Sequence, residues 1–221
     1  MTITTLLIDL DDTLYPASCG LWDAIRGRIN LYLTERLGLN AERAAALRRD
    51  LFHKYGTTLR GLQAVYQVNS EDYLHFVHDL PLERYLSPNP RLCQVLQALP
   101  QRRVIFTNAD AAHACRVVHA LGLDGCFEDI IDVHVFDPFC KPMAEAFQAA
   151  FNRLRVAPDE CTLVDDTLRN LETAKSLGMG TIWVCADGPA PSPAVDAVVG
   201  DITELENVLR KKTTDNNDPP Q

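Results

Sequence analysis

No apolar run in this 221-residue chain approaches the roughly 20 residues that a membrane helix needs, although 47% of the residues are hydrophobic. The N-terminus lacks the basic region, long apolar stretch and small-residue cleavage site of a secretory signal, so a cytoplasmic location and no membrane partner are expected. The seven cysteines are scattered and none forms Cys-x-x-Cys, which argues against both a zinc site and a disulfide framework. Basic residues are in deficit, 21 Lys and Arg against 30 Asp and Glu, and the net charge of −9 argues against a nucleic-acid polymer as partner. No internal repeat is visible, and no strand pattern occurs between residues 16 and 80.

The most informative stretch that is present is Thr5-Leu6-Leu7-Ile8-Asp9-Leu10-Asp11-Asp12-Thr13-Leu14-Tyr15. Its apolar start reads as a buried strand over about 5–10. Strand alternation would put Asp9 and Asp11 on one side, about 7 Å apart along the chain. Two carboxylates so placed need a counter-charge, such as a divalent cation, or hydrogen bonds from loop backbone. An acidic loop after an edge strand is the plain alternative.

After Tyr15-Pro16 the period becomes helical. Leu21, Trp22, Ile25, Ile29 and Leu33 form one apolar stripe closed by Gly38. Asn40 is placed to cap a second helix reaching about Tyr55. The run from Tyr55 to Leu62 reads as a turn into a third helix, and a fourth follows Ser70-Glu71-Asp72. The aromatic positions 22, 55, 66, 73 and 76 read as core of this bundle. Residues 16–88 hold nine basic and eight acidic residues, a near-neutral block in an acidic chain.

Beyond Ser87-Pro88-Asn89-Pro90, strand and helix patterns alternate, the signature of a parallel sheet covered by helices. Strands are expected at 103–106, 130–136, 161–164 and, as the last, 181–184. Helices are expected at 91–99, 111–121, 143–153, 168–177 and near 203–211. The tail 213–221 is polar and lacks apolar anchors, which predicts disorder. The expected organisation is an α/β, Rossmann-like core formed by 1–15 and 89–212, with a small helical cap (16–88) inserted after the first strand.

Three further features fall at strand ends or in loops: Thr107-Asn108, Lys141-Pro142 and Asp165-Asp166. Each is unremarkable alone. Thr107 and Asn108 could cap the next helix, Lys141 could be a solvated lysine, and the acid pair could favour a helix dipole. Together they are harder to dismiss. Four carboxylates at two strand ends repel by a few kcal/mol per close pair at an effective dielectric of about 20. A bound Mg²⁺ offsets that repulsion and leaves coordination positions for water and a phosphate oxygen.

In this order and on these elements, the four segments resemble the motifs of the haloacid dehalogenase-like (HAD) superfamily over roughly residues 3–185. The resemblance implies that Asp9 is a nucleophile forming an aspartyl-phosphate, and that Asp11 is the general acid and base whose backbone carbonyl also binds metal. It implies that Thr107, Asn108 and Lys141 hold the phosphoryl group, and that Asp166 binds Mg²⁺ directly, with Asp165 acting directly or through water. Asn170 stands where many members carry another acid. Dehalogenases lack an acid two residues after the nucleophile, so Asp11 favours phosphoryl transfer to water or, in a phosphomutase, to a sugar.

The segments Asp9 to Pro16, Tyr55 to Leu62, Phe106 to Asp110 and Val164 to Asn170 more closely resemble the pyrimidine 5′-nucleotidase-like subfamily. Ala109 and Thr167 depart from its usual Gly and Ser. This resemblance implies a nucleoside monophosphate substrate such as UMP or CMP, read by cap residues Tyr55, Thr57, Thr58 and Arg60, with Arg26 a further candidate. A broad-specificity phosphatase of small molecules such as sugar phosphates, a phosphomutase and a non-catalytic binding module are the alternative readings.

Overall fold

A computed structural model of the chain describes residues 3–188 and 191–209. Its centre is β1 (Thr5–Ile8), whose four residues are all buried. A short run with no polar alternation suits a strand covered on both faces, as in parallel sheets. β1 pairs in parallel with β2 (Arg102–Phe106) on one side and β4 (Cys161–Asp165) on the other. β3 (Asp129–Ile131) extends the sheet beyond β2, and β5 (Gly180–Val184) and β6 (Ala197–Val199) extend it beyond β4. The order is β3-β2-β1-β4-β5-β6, parallel throughout. The chain works outward from β1 to β3, then restarts at β4 on the opposite side of β1. The C-terminal ends of β1 and β4 therefore form the switch point where sheets of this kind open a crevice.

Between β1 and the core helix α5 (Pro90–Ala98) lie α1 (Leu21–Leu37), α2 (Ala41–Tyr55), α3 (Thr58–Tyr66) and α4 (Ser70–His78). α1 packs against α2 and α4, and α2 against α3. Asn40 caps α2 by accepting from Arg43 N at 2.9 Å, and Gly38 ends α1 in the left-handed conformation, both as the sequence predicts. The remaining core helices are α6 (Ala111–Ala120), α7 (Ala144–Leu154) and α8 (Leu168–Ser176).

Several expectations are corrected. β1 stops at Ile8, and only the Asp9 N–H continues the pairing, to Val164 O at 2.9 Å. The chain then turns through Asp12 at φ 58°, so Asp11 lies in a loop and strand alternation does not set its direction. The strand predicted over 130–136 ends at Ile131 because Asp132 Oδ1 accepts from His134 N and Val135 N, bending the backbone into turns. The Tyr55-to-Leu62 segment is mostly helix: Thr57 caps α3, which starts at Thr58. Tyr66 is exposed rather than core. β6 adds a sixth strand that three residues did not announce. The last helix runs through residue 209, and the tail 213–221 lies outside the described residues.

Candidate active site

Asp9 follows β1, Asp165 ends β4 and Asp166 follows it. One carboxylate oxygen from each lies within 4.8 Å of the others. Lys141 Nζ reaches into this group, donating to Asp9 Oδ1 at 2.7 Å and to Asp165 Oδ2 at 2.9 Å, and is almost wholly buried. Burial pushes the Asp9 pKa well above the usual carboxylate range; Lys141 offsets part of this, and Asp165 and Asp166 add to it. Burial acts to lower the Lys141 pKa, but the two carboxylates outweigh it and the ammonium is held charged.

The two adjacent acids of β4 have different surroundings. Both oxygens of Asp165 already accept from protein donors: Thr167 N at 2.9 Å, Asn170 Nδ2 at 2.9 and 3.0 Å, and Lys141. An acid at position 170 would repel Asp165, whereas the amide of Asn170 braces it. Asp166 makes no ion pair among the described residues, where its carboxylate accepts only from the Thr167 hydroxyl, at 3.3 Å. Burial, then Asp165 and Asp12, raise its pKa to about 7. Asp12, to which the sequence alone assigns no role, also borders the crevice, with a buried Oδ1 that has no partner among the described residues. Burial, then Asp11, raises its pKa to about 6. This all-oxygen donor set, with carboxylates lacking a counter-charge, fits a hard divalent cation such as Mg²⁺.

Mg²⁺ is accordingly expected to stabilise the fold. An Asp166 pKa near 7, against about 3.9 unfolded, means the folded state holds more protons between these values. Stability from this group therefore falls as pH rises through that window. A cation favours the ionised form and opposes the loss. At 100 times its dissociation constant it adds about 2.7 kcal/mol, or about 5–10 °C in Tm. Thermal melts with Mg²⁺ and with EDTA should differ more near pH 8 than near pH 5; a shift independent of pH would rule out these carboxylates as the binding site.

Thr107 follows β2 and is buried; its Oγ1 accepts from Ala109 N at 3.0 Å, leaving its hydroxyl hydrogen to be donated. Asn108 borders the crevice, but its amide is already engaged with the protein. Its Nδ2 donates to Lys141 O at 3.1 Å and its Oδ1 accepts from Lys141 N at 2.8 Å, so it locks the backbone that carries Lys141. Asp11 Oδ1 accepts from the Tyr15 hydroxyl at 2.5 Å and lies 3.0 Å from His113 Nε2. Burial pushes the Asp11 pKa up, but His113 and the hydrogen bonds from His113 and Tyr15 outweigh it, leaving the carboxyl below its ordinary range.

A cavity of about 380 Å³ separates these acids from the helical segment. Thr57, Thr58 and Arg26 border it, together with Trp22, which the sequence pattern placed in the bundle core, and with Arg48 and Phe52, which the sequence did not single out. Tyr55 and Arg60 do not border it. The Tyr55 carbonyl instead accepts from Cys140 Sγ at 3.4 Å, and a side chain on Gly56 would meet that sulfur at 2.7 Å. Gly56, at φ 86°, thus permits close contact between α3's start and the Cys140-Lys141 loop. Arg60 is buried and bonds Phe139 O at 2.7 Å, Val133 O at 2.9 Å, Gln63 Oε1 at 2.8 Å and the Asp137 carboxylate. It clamps α3 to the turns that deliver Lys141. Arg60→Ala is therefore expected to cost about 2–4 kcal/mol of stability by stranding buried acceptors, with similar losses on every substrate. A selective rise in KM for one substrate class, with unchanged Tm, would contradict this.

A Rossmann-like α/β sheet with an aspartate cluster and a buried lysine at its switch point defines an aspartate-centred α/β fold. The chain belongs to the haloacid dehalogenase-like hydrolases, whose family pattern matches residues 3–178. Hydrolases of this family generally use Mg²⁺. The chain is 28% identical over 189 residues to phosphate metabolism protein 8 of Saccharomyces cerevisiae, covering 79% of this chain and 59% of that one. It thus spans well under two thirds of that relative. Its fold matches the HAD phosphatase of Thermococcus onnurineus with TM-score 0.63 at 20% identity, over 93% and 97% of the two chains. It matches the magnesium-bound HAD-hydrolase YfnB of Bacillus subtilis with TM-score 0.61 at 19% identity, over 95% and 99%. Among the described residues no helix is long and apolar enough to cross a membrane.

Proposed function

We propose that this hydrolase is a Mg²⁺-dependent phosphomonoesterase that works through an aspartyl-phosphate on Asp9. The observation that carries the reading is the pairing of a lysine-braced Asp9 with a second acid, Asp11, two residues on and bordering the same cavity. In the first half-reaction an Asp9 carboxylate oxygen attacks phosphorus and the ester P–O bond breaks, while Asp11, ionised in the free protein and protonated once the negative charge of the phosphate lies beside it, gives that proton to the leaving oxygen. In the second, Asp11 takes a proton from water, the water oxygen attacks phosphorus, and the P–O bond to Asp9 breaks to release phosphate. Lys141 and the Thr107 hydroxyl stabilise charge on the phosphoryl oxygens. A cation held by Asp9, Asp166 and the Asp11 carbonyl would neutralise part of the phosphate charge. Asp165, saturated by Lys141, Asn170 and Thr167, acts as the brace of Lys141 rather than as a direct metal ligand.

The core is formed by 1–15 and 89–212, and residues 16–88 act as a cap that excludes water from the phosphoryl group. The preferred substrates are nucleoside 5′-monophosphates, UMP and CMP first. The cavity supports this: Trp22 and Phe52 bring aromatic side chains to the lining, where a planar base can pack, and Arg48 brings a guanidinium, where carbonyl groups can be bound. The name of the yeast relative is consistent with a role in phosphate metabolism.

The test is phosphate release from a panel of UMP, CMP, AMP, sugar phosphates and pyridoxal phosphate, with Mg²⁺ and with EDTA. A preference for UMP and CMP that vanishes in EDTA is expected. Preference for sugar phosphates would keep the chemistry and overturn the nucleotide assignment. No release from any ester by folded protein would overturn the phosphatase reading.

A further inference from the structure

The group that surrounds Asp11 is more elaborate than an acidic loop requires. One oxygen, Oδ1, takes the Tyr15 hydroxyl at 2.5 Å and His113 Nε2 at 3.0 Å. Among the described residues no partner is found for Oδ2, although Asp11 borders the cavity. His113 lies on α6, fully buried, and its Nδ1 has no partner among the described residues. The ring's hydrogen-bonding capacity is therefore directed at Asp11 alone, with the proton on Nε2. A buried imidazole with one nitrogen unpaired costs stability, which a purely structural core position would avoid with an apolar residue.

Its orientation is fixed from two further directions. Asp110, the N-cap of α6, accepts from His113 N at 2.6 Å. The His78 ring, at the end of α4, stacks on the His113 ring at 4.0 Å and 14°, and His78 Nδ1 lies 3.4 Å from Asp110 Oδ2. The last residue of α4 thus stacks on the ring that holds Asp11.

We propose that His113 is a positioning residue for Asp11: with Tyr15 it occupies Oδ1, so that Oδ2 is the oxygen that carries the proton to the leaving group. The inference rests on the phosphomonoesterase reading and adds a residue that the four motifs do not contain. A misdirected Asp11 should matter in proportion to the leaving group's need for a proton. An alkoxide leaves poorly without one, whereas p-nitrophenolate leaves readily. General acid catalysis contributes about 10²–10⁴-fold in enzymes, and loss of its positioning removes part of that.

The experiment compares kcat/KM, which covers the steps up to the aspartyl-phosphate, for an alkyl ester (UMP, or the best alkyl phosphate of the panel) and p-nitrophenyl phosphate. His113→Phe, which keeps the stack but removes the donor, is expected to lose about 30-fold or more on the alkyl ester and less than about 5-fold on the aryl ester. His113→Gln, which restores an N–H at similar reach, should recover much of the difference. If His113→Phe does not fold in a thermal melt, Tyr15→Phe removes the other donor and should show the same selectivity. Equal losses on both esters, or none, would overturn the positioning role while leaving the phosphatase reading intact. A wild-type protein inactive on every ester would overturn both.

Discussion

Asp9→Asn is expected to abolish turnover, by about 10⁴-fold or more, with Tm unchanged or slightly raised. The amide cannot attack phosphorus, yet it has the shape of the carboxylate. Its oxygen can still accept from Lys141 Nζ, which sits 2.7 Å from Asp9 in the native protein. The substitution removes one of three carboxylates gathered within 4.8 Å. Burial and the neighbouring acids disfavour the Asp9 charge more than Lys141 favours it, so the neutral amide relieves the fold. The decisive pair of measurements is steady-state turnover and a thermal melt on the same preparation. Robust activity would remove Asp9 as nucleophile, and a marked fall in Tm would mean that its charge is needed for folding.

How far the sequence could be read depended on whether a residue's task was local. β1 was legible because three consecutive apolar residues, Leu6 to Ile8, that run straight into acids fit a buried strand ending at a polar crevice, and its burial on both faces agrees with that pattern. Asn40 and Gly38 act within one turn of their own position and were legible for the same reason. Lys141 was identifiable only through the order of the motifs, since a lone lysine is ordinarily solvated. Arg60 was assigned to a ligand because polar residues near motifs look available, and the brace that Asn108 gives the Lys141 loop was not foreseen. Their partners, Phe139 and Val133 for one and the Lys141 backbone for the other, are brought close only by the fold. The same limit hid His113. At three residues past an N-cap, on the inner face of α6, it has the pattern of an ordinary core position. Only the return of the chain brings Asp11 to its ring across 102 residues. Candidate-site residues at strand ends were thus legible, and the contacts made to them by distant side chains were not.

Lys141→Met should combine loss of activity with a loss of stability of about 3–5 kcal/mol, the cost of leaving a buried charge without its partner. Both partners bear on the outcome. Asp165 is fully buried and Asp9 nearly so, and Lys141 Nζ donates to each, at 2.9 and 2.7 Å. Without the ammonium, three neighbouring carboxylates remain with no cation from the protein. At least one must then take up a proton, so the variant's stability should fall further as pH rises above neutrality. The double variant Lys141→Met with Asp165→Asn separates the two roles of the lysine. It removes the stranded charge, and the amide at 165 retains an oxygen for Thr167 N and for Asn170 Nδ2. Much of the lost Tm should therefore return, while turnover, which needs a cation beside the phosphoryl oxygens, should not. Recovery of activity along with stability would show that Lys141 serves only to neutralise Asp165. Failure to recover stability would place the cost in the Asp9 pairing instead, to be tested by Lys141→Met with Asp9→Asn. This outcome matters for the whole centre: the residue proposed to hold the phosphoryl group is also the one that lets its acids be buried together.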